Sequence, residues 1–130
     1  MLPRLETKLT DHQSNPVNSA IDISLDARDP KLGNASRTYF ISWPNPSMPE
    51  KVELRGSVLL RFHRGAAPTN GVTVEALAAV VIDQLDGWQS GEFACDENKA
   101  ALEHFRAGLE ALKSRTAARV ARGVEGKPVV

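Results

Sequence analysis

The chain of 130 residues contains one cysteine, Cys95, which excludes an internal disulfide and a metal site built from several cysteines. It also lacks a net charge. Sixteen Lys and Arg balance 16 Asp and Glu, whereas a duplex-DNA binder shows a basic excess, so no duplex nucleic acid is expected as a partner. No apolar run approaches the roughly 18 residues that a membrane span needs, so no membrane partner is expected either. The first residues, Met1-Leu2-Pro3-Arg4-Leu5-Glu6, have no apolar signal core, which argues against export and for a reducing cytoplasm. A Gly-rich phosphate loop, His/carboxylate metal spacing and a nucleophile elbow are all missing. The expectation is therefore no catalytic residues, no metal and no cofactor.

What is present reads as one α+β domain. Residues 1–19 are polar and aperiodic, and are expected to form an arm, loose or ordered only against a partner. Residues 20–64 form the β region. Ile21 to Asp26 alternate apolar and polar side chains, and Arg37 to Trp43 are rich in aromatic and β-branched residues, so both predict strands. Pro44, Pro46 and Pro49 impose a loop. Val52 to Arg55 and Ser57 to His63 predict one or two further strands, with Gly56 as a bulge or bend.

The period then changes to that of a helical hairpin over 72–122. Thr73 is suited to cap a helix running to about Trp88, whose segment Ala76 to Ile82 is apolar all round. In so short a chain such a helix asks for cover on more than one side. Gly87 and Gly91 permit a turn. Asp96 is suited to cap a second helix over about 97–121. Its apolar stripe is Ala101, Leu102, Phe105, Leu109, Leu112, Thr116 and Val120. Gly123 ends it, leaving 123–130 as a tail.

Four features stand out. Arg115, Arg119 and Arg122 recur at i, i+4 and i+7 and so share a helix face. Guanidinium forks suit phosphate oxygens, although basic residues also suit an ordinary solvated helix C-terminus. Trp88 can stack on a base or serve as a hinge aromatic. Asn98 can pair with a base or ribose edge or simply satisfy a loop. His63, at a strand end, can join a polar pocket or be structural. Asn98 and Arg115 lie 17 residues apart on one helix. That is roughly 25 Å at about 1.5 Å per residue, too far for one small nucleotide. A ligand touching both therefore requires two chains.

The Glu97-Asn98 helix start and the ending Arg115-Thr116…Arg119…Ala121-Arg122-Gly123-Val124-Glu125-Gly126 resemble the Thoeris anti-defence sponges of phages. These are relatives of the anti-CBASS cyclic-nucleotide sponges, with which they share the helical hairpin. The likeness extends from about Gly71 to Gly126. It implies a non-enzymatic protein, in the cytoplasm of an infected bacterial host, that sequesters a cyclic ADP-ribose isomer without cleaving it. Cyclic di- or trinucleotides are the alternative ligands, and a helical oligomerisation module that binds no ligand is the alternative role. The resemblance further implies a homo-oligomer, a hexamer built from dimers. It matches Trp88 to a stacking aromatic, Asn98 to a polar contact, and Arg115 and Arg119 to diphosphate contacts. The sequence departs from the family at Trp88, where phenylalanine is found, at Asp96, where arginine is usual, and at Lys127, where threonine is common.

Overall fold

A computed structural model describes residues 5–123. The architecture is α+β: a four-stranded antiparallel sheet followed by two long helices. The chain divides into two compact units, Met1–Arg64 and Gly65–Val130.

The first unit is the sheet, with strands β1 Thr7–Leu9, β2 Asp22–Leu25, β3 Thr38–Trp43 and β4 Gly56–Arg61 in that spatial order. The register pairs Leu9 with Ile23, Ile23 with Ile41, and Ile41 with Val58. Because side chains alternate across a strand, this puts Leu9, Ile23, Leu25, Tyr39, Ile41, Trp43, Val58 and Leu60 on one face. The opposite face carries mostly polar residues, among them Lys8, Asp22, Ser24, Thr38, Ser42, Ser57 and Arg61. There Arg55 Nη2 donates to Asp22 Oδ2 at 3.0 Å and to Ser42 Oγ at 3.1 Å. On the apolar side, the Tyr39 and Phe62 rings meet edge to face with centroids 5.4 Å apart, a pairing that stabilises by about 1 kcal/mol beyond its burial.

The β2–β3 connection is organised by one carboxylate. Asp26 Oδ1 accepts from the backbone N–H groups of Arg37 at 3.0 Å and Thr38 at 3.2 Å. The Ser36 hydroxyl donates to the Asp26 carbonyl. These bonds satisfy buried backbone that the strands themselves leave unpaired, and Thr38 is only 2% exposed.

Three sequence expectations need correction in this unit. The polar segment 1–19 supplies β1 to the sheet and a short helix α1, Pro16–Ser19, capped by the Asn15 side chain. His12 holds this segment to the start of β2 through a 2.6 Å contact between Nε2 and the Ile21 carbonyl. The composition hid β1 because an edge strand of three exposed residues needs no apolar alternation. Val52–Leu54 is a 3-10 turn and not a strand. Gly56 is no bulge. It pairs directly with Trp43, and its missing side chain leaves room for the indole, since a Cβ there would lie 2.4 Å from Trp43 Nε1.

The second unit is the hairpin, α2 Val74–Gln89 and α3 Asp96–Ala121. Thr73 caps α2, its hydroxyl accepting from the Ala76 N–H at 3.1 Å. The N-cap of α3 is Cys95 and not Asp96: its Sγ accepts from the Asn98 N–H at 3.4 Å. Asp96 and Glu97 occupy the first turn, where carboxylates favour the positive helix pole. Along α2 the less exposed positions recur at Glu75, Ala78, Ile82, Leu85 and Gln89. Along α3 they recur at Leu102, Leu109, Leu112, Thr116 and Arg119. Apart from the step of seven from Leu102 to Leu109, the spacings are three and four, those of an antiparallel heptad seam. The seam departs from the expected stripe in its middle and at its end: Phe105 is 46% exposed, and Arg119 is buried while Val120 is 59% exposed. Counting three on from Thr116 reaches Arg119, so the heptad spacing places a guanidinium at the last seam position. The tail from Val124 onward, including Glu125, Gly126 and Lys127, lies outside the described residues.

Two substitutions test this packing. Leu102→Ala removes a buried seam side chain and should cost about 2–4 kcal/mol of unfolding free energy in urea titration. Gly56→Ala drives a methyl into the Trp43 indole and should cost about 1–2 kcal/mol. The Trp43 near-ultraviolet circular dichroism should change with it, and an unaltered spectrum would show that the ring does not lie over Gly56.

Candidate ligand-binding site

The candidate site grows out of the bend between the two helices. Helix α2 ends with Trp88 and Gln89, and Ser90 closes it, its N–H donating to the Asp86 carbonyl at 3.1 Å. Four side-chain groups then fix the bend. Ser90 Oγ donates to the Gly87 carbonyl at 2.8 Å. Gln89 Oε1 accepts from the Cys95 N–H at 2.9 Å. Cys95 Sγ caps Asn98. Asn98 Nδ2 donates to the Phe93 carbonyl at 3.0 Å.

The result is an open pocket of about 370 Å³ lined by Trp88, Phe93 and Asn98. That volume lies toward the lower end of small-molecule sites, which run from about 300 to 1,000 Å³. Trp88 is 40% exposed and Phe93 65%. Two aromatics left this accessible at one bend offer stacking surface to a planar ring. The Asn98 amide is oriented by its neighbour. A carbonyl can only accept, so the atom facing Phe93 O is Nδ2, and Oδ1 has no hydrogen-bond partner among the described residues. Phe93 was not a sequence candidate. Its position between Gly91 and a helix start was the available signal, since a large aromatic in a polar bend has no helical seam to join.

The predicted arginines stand elsewhere. Helix α3 runs unbroken from Asp96 to Ala121, so Asn98 and Arg115 are held roughly 25 Å apart along its axis. Arg115 is exposed, Arg122 is exposed just past the helix end, and Arg119 is only 6% exposed. Beside them, Thr116 Oγ1 donates to Glu75 Oε2 at 3.4 Å, which ties the arginine end of α3 to the start of α2. The structure thus brings Trp88 and Asn98 together with Phe93, and keeps the three arginines at the opposite end of the hairpin. His63 belongs to the first unit, where it follows β4 and is half-buried.

Within the hairpin, α2 also carries apolar side chains off the seam. Val74, Val80 and Val81 are each more than a third exposed. Val74, Val81 and Trp88 recur every seven residues and so form one line ending at the pocket. Arg106 and Asp86 pair at 3.0 Å, but both are more than half exposed, so the bridge is worth at most about 1 kcal/mol. Among the described residues, no three His, Cys, Asp or Glu side chains converge as a metal site would require. No helix among them is long and apolar enough to cross a membrane.

No protein-family model matches the chain. A curated relative does: Thoeris anti-defense 1 from Bacillus phage SBSphiJ7 is 47% identical over 57 residues. The matched stretch is 44% of this chain and 40% of that protein, so the chain spans less than half the length of the relative it matches. Over that stretch this chain is similar to a protein named for Thoeris anti-defence.

Proposed function

We propose that the protein is a phage anti-defence sponge that captures a cyclic ADP-ribose-type signal in the host cytoplasm and holds it intact. The observation that carries this reading is the pocket of Trp88, Phe93 and Asn98, where accessible aromatic faces adjoin a free amide acceptor. A purine ring would stack on the aromatics, and Asn98 Oδ1 would accept from a base N–H. The similarity to a protein named for Thoeris anti-defence adds a biological setting in which such capture is useful.

The phosphates are assigned first to the exposed Arg115 and Arg122, while Arg119, only 6% exposed at the seam, reaches a ligand only if its side chain turns out of the seam. Paired charge-assisted bonds from guanidinium forks suit a diphosphate. Since about 25 Å or more separates these groups from Asn98 in one chain, a complete site joins the aromatic end of one hairpin to the arginine end of another, with the two running antiparallel. The off-seam line of Val74 and Val81 on α2 is the surface proposed to bring copies together, in a hexamer built from dimers. Sequestration against a competing receptor demands a Kd of about nanomolar, roughly −12 kcal/mol.

Calorimetric titration with cyclic ADP-ribose isomers, followed by mass spectrometry of ligand released on denaturation, tests the proposal. Intact ligand at one equivalent per site is expected. A cleaved product would sink the sponge reading in favour of a hydrolase, and heat with cyclic trinucleotides alone would move the ligand class to cyclic oligonucleotides. No heat with any of these from folded protein would leave a helical oligomerisation module.

Two variants follow. Trp88→Ala should raise Kd by about 10- to 100-fold through lost stacking. Arg115→Ala should weaken binding by a similar factor while leaving the sedimentation profile unchanged. In a mixture of Trp88→Ala and Arg115→Ala chains, a site shared between subunits should recover a fraction of wild-type capture. Failure to recover any would place the whole site within one chain.

A further inference from the structure

We infer that Gln89 is the positioning residue that sets the aperture of the pocket, a role that rests on the ligand reading given to that pocket above. Gln89 follows Trp88 directly at the end of α2, and Cys95 precedes Asn98 by three residues at the start of α3. The 2.9 Å bond from the Cys95 N–H to Gln89 Oε1 therefore ties the helix end that carries one wall to the helix start that carries the other.

Among the described residues, the other side-chain bonds of the bend stay on one side of it, and the exposed Asp86–Arg106 pair joins the two helices away from it. Ser90 Oγ bonds back within α2, and Cys95 Sγ and Asn98 Nδ2 bond within the bend and α3. Ala94 N–H donates to the Gly91 carbonyl at 3.2 Å, which shapes the loop but touches neither Trp88 nor Asn98. The Phe93 ring is 65% exposed, so packing does little to hold it. Its place is inherited from its backbone, which Asn98 grips at the carbonyl. Cutting the Gln89 link frees the Cys95–Asn98 corner, and Phe93 moves with that corner.

The Gln89 bond is also chemically specific. The backbone N–H donates, so position 89 must supply an acceptor of the right length. Glutamate meets both conditions, and a carboxylate near the α3 N-terminus is favoured by the helix dipole. Leucine matches the bulk but supplies no acceptor. The side chain of Gln89 needs no contact with the ligand to act in this way.

The test compares Gln89→Leu and Gln89→Glu with the wild-type full chain, by two readouts. Without ligand, hydrogen exchange of the Cys95 amide and acrylamide quenching of Trp88, in a Trp43→Phe background, report on the corner itself. With cyclic ADP-ribose as the probe, calorimetry reports Kd. Gln89→Leu should speed Cys95 exchange by about tenfold, as expected for loss of one hydrogen bond. It should weaken binding by about the same factor, with a fall in melting temperature of a few degrees, and Gln89→Glu should restore exchange and binding. Unchanged exchange and quenching in Gln89→Leu would overturn the inference whether or not the probe binds. So would equal Kd values for the leucine and glutamate variants when the wild type binds. If the wild type binds no probe, the ligand reading fails separately, and the exchange and quenching data still decide the role of Gln89.

Discussion

The continuity of α3 governs everything else in the hairpin. Twenty-six residues without a break make a rod roughly 39 Å long. No proline interrupts it, and its single internal glycine, Gly108, sits in ordinary helix. A rod of this length can hold groups at its ends but cannot fold them toward each other. The aromatic bend and the arginine cluster are therefore held at opposite ends of the hairpin. Any ligand small enough to fit a 370 Å³ pocket can reach both only if a second rod lies alongside in the opposite sense.

The bend is ordered by a different kind of interaction. Short side chains satisfy backbone groups that a helix terminus leaves open. Cys95, Asn98, Ser90 and Gln89 each take one such group. None of these bonds is strong, since each is exposed and exchanges against water. Their effect comes from acting together on six residues, which leaves Trp88 and Phe93 accessible without leaving their backbone loose. The sheet unit uses the same device at Asp26, whose carboxylate gathers the start of β3.

Much of this was legible in the residues. Alternation at Ile21 to Asp26 and the aromatic run to Trp43 located β2 and β3, because one buried face imposes period two. Thr73 and the apolar run after it located α2. The errors have physical causes. Strand β1 pairs through its backbone, and an edge strand with exposed side chains carries no pattern. Cys95 caps α3 although sulfur is a weak acceptor, because the better-suited Asp96 lies one residue inside the helix. Val120 was assigned to the seam on its hydrophobicity, whereas heptad spacing from Thr116 lands on Arg119. At the candidate site, Trp88 and Asn98 were visible by residue type. Phe93 joined them only because the bend folds back, which no one-dimensional spacing records.

The seam between the helices has polar residues at its two extremities and aliphatic ones between. Glu75 meets Thr116 at one end, and Gln89 meets Cys95 at the other. Sliding one helix past the other by seven residues would set Glu75 or Gln89, according to the direction, against an aliphatic partner. The two ends therefore act as stops, much as a zipper is held by its boxes and pins. A hairpin locked in this way presents Trp88 at one fixed height along its axis.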